Sequence, residues 1–148
     1  MVASLRHLSI LLALAAVLGS APRSTAAQPP QMRVPWADVA PARAGGVVRA
    51  ASVGAADARI GRFSARRASA RGEARERARR AVHGWVDDAL AHVHADPRQA
   101  TAAHEAVDAN LRVVGVRPLV DGGAVVMVEV DIARLRAACA EEGLPWVD

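Results

Sequence analysis

Arginine is the side chain in this 148-residue sequence most able to do chemistry. All nineteen Lys-plus-Arg positions are arginine. Nine of them, Arg59, Arg62, Arg66, Arg67, Arg71, Arg75, Arg77, Arg79 and Arg80, share one stretch with only Asp57, Glu73 and Glu76 against them. A guanidinium is a permanently charged fork that matches carboxylate and phosphate oxygens, so the chemistry on offer is anion binding rather than proton transfer. On a helix, Glu73–Arg77 and Glu76–Arg80 are i,i+4 pairs, and most of the remaining arginines form a solvated face. Arg67 and Arg71 do not fit that face, because they fall on the line of Phe63, Ala74 and Ala78. Either the helix overhangs whatever it covers there, with the stems lying along apolar surface, or these arginines meet an acidic partner. Together with Arg75 they are the candidate anion-binding residues, for a phospholipid headgroup or an acidic polysaccharide. No nucleic-acid partner is expected, since the chain carries no recognisable reading motif.

Other constellations are weaker. His83, His92, His94 and His104 invite a metal reading, and Asp88–His92 or His104–Asp108 at i,i+4 spacing would make two-ligand half-sites. No third or fourth ligand follows at a recognised spacing, so the expectation is solvated or ion-paired histidine, with no metal and no cofactor. Cys139, the single cysteine, falls on the inner side of a short helix and reads as a small buried hydrophobe. Glu141 and Glu142 end that helix. There is no G-x-S-x-G, P-loop or G-x-G-x-x-G. The chain is therefore not expected to be an enzyme.

The elements that would position these residues centre on Leu111–Asp131, LRVVGVRPLVDGGAVVMVEVD. Two valine-rich runs flank Asp-Gly-Gly, which reads as a β-hairpin. A three-residue loop of Asp121, Gly122 and Gly123 sets Val120 opposite Ala124, Pro118 opposite Val126, Val116 opposite Val128 and Val114 opposite Val130. One face is then wholly apolar. Gly46–Gly54 is a candidate third strand. A long helical stretch over about Ala56–Val93 has Phe63, Ala70, Ala74, Ala78, Ala81, Trp85 and Ala89 on one stripe, with Val82, Val86 and Val93 extending it. That stripe is the natural lid for the hairpin.

Asp96 caps a second helix from Pro97 to about Asn110, with Ala100, Ala103, Val107 and Leu111 roughly on one side. Asp131 caps a short third helix through Glu142, with Ile132, Leu135 and Cys139 inward and Gly143 stopping it. The expected class is α+β. A small antiparallel sheet, strand plus hairpin, is covered on one face by the long helix, with a second helix and a short C-terminal helix beside it. The second sheet face carries Leu119, Val125 and Met127 with few obvious covers, which suggests burial against another copy.

Domain organisation follows from composition. Residues 1–27 have a short basic start with Arg6 and His7, an apolar run from Leu8 to Leu18 and small residues up to Ala27, as in a cleaved secretory signal. The apolar run is about half of the roughly 20 residues that a membrane-spanning helix needs. Residues 28–45 carry Pro29, Pro30, Pro35 and Pro41 and read as a Pro-rich tether, with Trp36 docking on the domain. Residues 46–143 form the domain. Residues 144–148 are a tail, where Trp146 is another docking residue. Without Arg6 and Arg23, seventeen arginines stand against fifteen acids, so the remaining chain is only mildly basic.

Three pieces of the sequence coincide: Val34-Pro35-Trp36, the alanine-spaced stretch Ala65–Ala74, and the pair Val113–Arg117 with Asp121–Val130. Together they resemble the Lpp-twenty lipoprotein family of small bacterial envelope proteins, and also look like the N-terminal domain of the flagellar T-ring assembly protein. The resemblance covers roughly Gly46–Ala137. It implies a strand–helix–hairpin core in an envelope role and brings no catalytic residues. In Val17-Leu18-Gly19-Ser20 a serine stands where the family's lipid-bearing cysteine would be, so no acyl anchor is expected. The expected protein is exported, periplasmic or extracellular, not lipid-anchored, and non-catalytic. Its expected role is structural or interactive, with self-association through the sheet or an envelope protein as partner. The alternative is a peripheral binder of anionic envelope surfaces through the arginine face.

Overall fold

The computed structural model describes residues 32–143. The expected signal (1–27), the first residues of the expected tether and the expected tail with Trp146 lie outside them. The described part is α+β. Four strands, β1 (Val39–Ala44), β2 (Val47–Gly54), β3 (Arg112–Pro118) and β4 (Ala124–Asp131), form one antiparallel sheet in the order β1-β2-β4-β3. Three helices accompany it: α1 (Phe63–His92), α2 (Pro97–Asn110) and α3 (Ile132–Glu141). No described helix is long and apolar enough to cross a membrane.

The helix starts follow their caps. Asp96 accepts from the backbone amides of Arg98 and Gln99, and the Gln99 side chain returns a bond to the Asp96 amide, completing a capping box with Pro97 at the first helical position. Asp131 ends β4 and caps α3 through the amides of Ala133 and Arg134. Ile132, Leu135 and Cys139 are buried, as their spacing indicates.

α1 begins at Phe63, several residues later than expected, and its packed line keeps Ala70, Ala74, Ala78, Val82 and Val86 of the expected stripe, loses Phe63 and adds Leu90. The buried residues are Ala70, Ala74, Ala78, Val82, Val86 and Leu90, each four after the last. A step of four turns about 40° past a full circle, so this line winds around the helix as it ascends. Its alanine half lies on the sheet with Ala50, Val126, Val128 and Val130. Its larger half meets Ala103, Ala106 and Val107 of α2, and Leu135 and Cys139 of α3 lie in the same core. Trp85 and Ala81 flank that core, whereas Phe63 is 51% exposed. The first buried residue, Ala70, sits on Gly54, the last residue of β2, so the turns before it, with Phe63 and Arg67, overhang the sheet, whereas Arg71 lies beside the packed line. The approach over the sheet is close. A Cβ on Gly54 would overlap the carbonyl oxygen of Ala70 and sit 2.8 Å from the Ala74 amide nitrogen, so only glycine fits there.

The hairpin forms with a different register. Pro118 faces Ala124, and Leu119–Gly123 is a five-residue connection closed by Leu119 N donating to Gly123 O at 2.9 Å. Shifting by two keeps the parity, so Val116 and Pro118 stay on the face of Val126 and Ala124. The longer turn releases Leu119 to pack on Val125 and Met127, and the Asp121 carboxylate accepts from the Gly123 amide. A bulge between Val113 and Gly115 then sends Val114 to the second face, away from Val130. Val120, expected inside, is 99% exposed.

Two further expectations are corrected at the second face. Val39–Ala44 of the expected tether is an edge strand, irregular between Val39 and Ala42 around Pro41, which an edge position tolerates. The arm before it covers the face that had suggested a second copy. Val34 packs on Met127 and takes the space that a Gly115 side chain would occupy. The Val34 carbonyl accepts from Arg117 Nη1 at 3.1 Å, and Asp38 accepts from the Val53 amide at 2.7 Å. Val125, Met127 and Ala51 are buried. Trp36 does dock, but only through the Arg117 guanidinium 3.1 Å above its ring centroid, and it stays 66% exposed.

Candidate anion-binding surface

Beside the buried line of α1 runs a parallel row with the same spacing of four: Arg67, Arg71, Arg75, Arg79, His83 and Asp87. It winds as the buried line does, so its two halves reach different surroundings. Arg67, Arg71 and Arg75 are exposed. Arg67 lies over the Phe63 ring, 4.6 Å from its centroid. No carboxylate lies within ion-pair distance of these three among the described residues. The sequence brings them together in one row, and the structure leaves their charge available for an external anion.

The other half of the row is met by α2. Arg79 clamps Asp108 with two bonds, Nε–Oδ1 at 2.7 Å and Nη2–Oδ2 at 2.6 Å, and reaches Glu76 at 3.2 Å. His83 Nε2 bonds Asp108 Oδ1 at 2.8 Å, and His104 Nε2 bonds Asp87 Oδ1 at 2.7 Å. The two imidazoles stack at 4.5 Å between centroids, 23° from parallel, with their Nδ1 atoms in contact. A hydrogen bond between two Nδ1 atoms needs one of them protonated and the other bare. The double bond from Arg79, aided by His83, lowers the Asp108 carboxyl to about 2, and Asp108 in turn raises Arg79.

This α1–α2 cluster gives His83 and His104 carboxylate partners, in line with the expected ion-paired histidines, but across the helices rather than at i,i+4 spacing. Asp108 turns to Arg79 and His83 rather than to His104, and His92 Nδ1 donates to the backbone carbonyl of Asp88 at 2.6 Å rather than to its carboxylate. His94 adopts φ 51° just past α1. Among the described residues no group of three or more His, Cys, Asp or Glu is placed to hold a metal ion. The cross-helix partners Asp87–His104 and His83–Asp108 are seventeen and twenty-five residues apart, and only the docking of α2 on α1 reveals them.

The remaining charges are locally engaged. Arg77 pairs with Glu73 at 2.6 Å and Arg80 approaches Glu76 at 3.9 Å, as the helical spacing indicates. Arg49 and Glu129 pair across β2 and β4 at 2.8 Å. Burial raises the thiol of Cys139, in keeping with a packed hydrophobe.

No family model matches this chain, and neither do any curated protein or solved structure.

Proposed function

We propose that this chain is an exported, non-catalytic protein of the bacterial envelope that docks on anionic surfaces through Arg67, Arg71 and Arg75. One observation carries the reading. Glu73, Glu76, Asp87 and Asp108 around the row and Glu129 on the sheet are each paired, while three arginines at 6 Å steps along one helix, by the rise of about 1.5 Å per residue, have no ion-pair partner among the described residues. Self-association through the open sheet face is the weaker reading, because the arm at Val34 already lies on that face. Export rests on residues 1–27, and kinship with the Lpp-twenty family rests on the motifs alone.

The test is retention of the full chain on dextran sulfate beads across a salt series. Binding should weaken steeply as salt rises. The variant Arg67→Glu/Arg71→Glu/Arg75→Glu should bind roughly 100-fold less tightly, taking about 1 kcal/mol for each arginine near an anionic surface. Equal retention of this variant and the unchanged chain would sink the proposal.

A further inference from the structure

Resting on that reading, we infer that the anionic surface is a lipid bilayer, engaged by an apolar corner made of Val120 and Phe63 with the arginines set around it. Val120 stands at the corner of the Leu119–Gly122 turn, closed by Gly122 N donating to Leu119 O at 3.1 Å, and nothing covers it: the side chain is 99% exposed. Phe63 opens α1 on the overhang. Its ring lies against Gly122, where an added Cβ would come 3.2 Å from Cε2, so the turn and the helix start form one end of the domain. An apolar side chain left in water at a turn corner contributes nothing to the fold, whereas about 1.5–3 kcal/mol is available when it enters an apolar phase.

The charges around this corner suit a bilayer. Arg59, Arg62, Arg67 and Arg71 are exposed there, and Arg67 lies on the Phe63 ring as a snorkelling guanidinium does between an aromatic face and headgroups. Arg66 turns back to the Ile60 carbonyl. Asp57, Asp121 and Glu73 keep their negative charge there, but they are outnumbered by Arg59, Arg62, Arg66, Arg67 and Arg71. Asp57 accepts from the Arg59 amide at 2.9 Å, Asp121 from the Gly123 amide at 2.9 Å, and Glu73 from the Ala55 amide and Arg77. A polyanionic polysaccharide would use the arginines but has no need of Val120. A specific protein partner would need roughly 800 Å² from this side, far more than two side chains supply. A bilayer uses both features at once, headgroups for the guanidiniums and the acyl boundary for the corner.

A reporter at the corner tests this in the full chain by reading the surroundings of position 120 itself rather than overall binding. Val120→Cys carries a polarity-sensitive fluorophore, and buried Cys139 is the only competing thiol. Vesicles of phosphatidylcholine with a minority of phosphatidylglycerol should blue-shift and brighten the probe. Pure phosphatidylcholine vesicles and dextran sulfate should not. Adding Phe63→Ser should raise the lipid concentration at half-shift roughly tenfold, the worth of one partly exposed aromatic entering the boundary. An unshifted probe on phosphatidylglycerol vesicles, with dextran sulfate retention still lost in the triple-Glu variant, overturns the bilayer and keeps the anion reading. An unshifted probe with no salt-sensitive retention overturns both. A shift that persists undiminished in Phe63→Ser overturns the corner as the inserting element.

Discussion

The two halves of one helical row, Arg67-Arg71-Arg75 and Arg79-His83-Asp87, share a helix and a spacing yet have opposite fates. The first half has no carboxylate within ion-pair distance among the described residues. The second is held by Asp108 and His104 of α2 into a network of two carboxylates, two imidazoles and a guanidinium. Residue type does not separate them, since Arg75 and Arg79 are the same side chain one turn apart. What separates them is the winding of the buried line, which turns the row towards α2 only after the helix has passed over the sheet. Charge on a helix thus becomes a structural tie or a free binding element according to what the next element places opposite it.

The comparison can be broken most severely through the buried line that both halves flank. Ala78→Glu puts an unpaired carboxylate at a fully buried position and should unfold the domain, a loss of more than about 4 kcal/mol. Circular dichroism on heating should show no cooperative transition, and an unchanged melt would place Ala78 in solvent. A smaller break turns the tied half into a free one. Asp108→Ala leaves Arg79 and His83 without their shared acceptor and should cost about 1 kcal/mol, discounted for a carboxylate that is 40% exposed. Chemical denaturation reads that difference.

Acid sharpens the same contrast. Because the Asp108 carboxyl is held at about 2 in the folded protein, below its ordinary 3.8, its contribution is complete above that ordinary value. It is lost as pH falls from there towards 2. Melting temperature followed through this window should drop less steeply in Asp108→Asn than in the unchanged protein. The smallest effect belongs to the free half. Arg67, Arg71 and Arg75 repel one another at i,i+4, so Arg71→Gln, which keeps helix propensity, should stabilise the domain by a few tenths of a kcal/mol, two like-charge contacts being relieved. A measurable destabilisation would mean that Arg71 has a partner in the folded chain.

Much of the framework was legible because its signals are local. Asp96-Pro97 and Asp131 announce helix starts through chemistry that spans four residues, and the valine runs of β2 and β4 announce strands. Ala70, Ala74, Ala78, Val82 and Val86 pack where the spacing puts them, whereas Phe63 does not, because periodicity alone cannot tell a packed aromatic from one on an overhang. The strand in Val39–Ala44 was hidden by Pro41, since proline density speaks against a central strand but not against an edge. The bulge at Val113–Gly115 and the five-residue turn depend on where Leu119 finds cover, a tertiary matter. Of the site, Arg67 and Arg71 were visible as misfits on an apolar line, with Arg75 beside them. The histidine cluster was not, because its partners belong to two helices whose docking no spacing encodes.

The absence of tyrosine gives the Arg117–Trp36 stack a practical use. Ultraviolet emission comes from tryptophan alone, and the chain has three. In a Trp146→Phe background, Trp36 reports the arm from outside the core while Trp85 reports the layer between α1 and its neighbours. Iodide, which quenches accessible indole, should silence the first and spare the second. Peeling of the arm and collapse of the whole domain then become separately visible optical events.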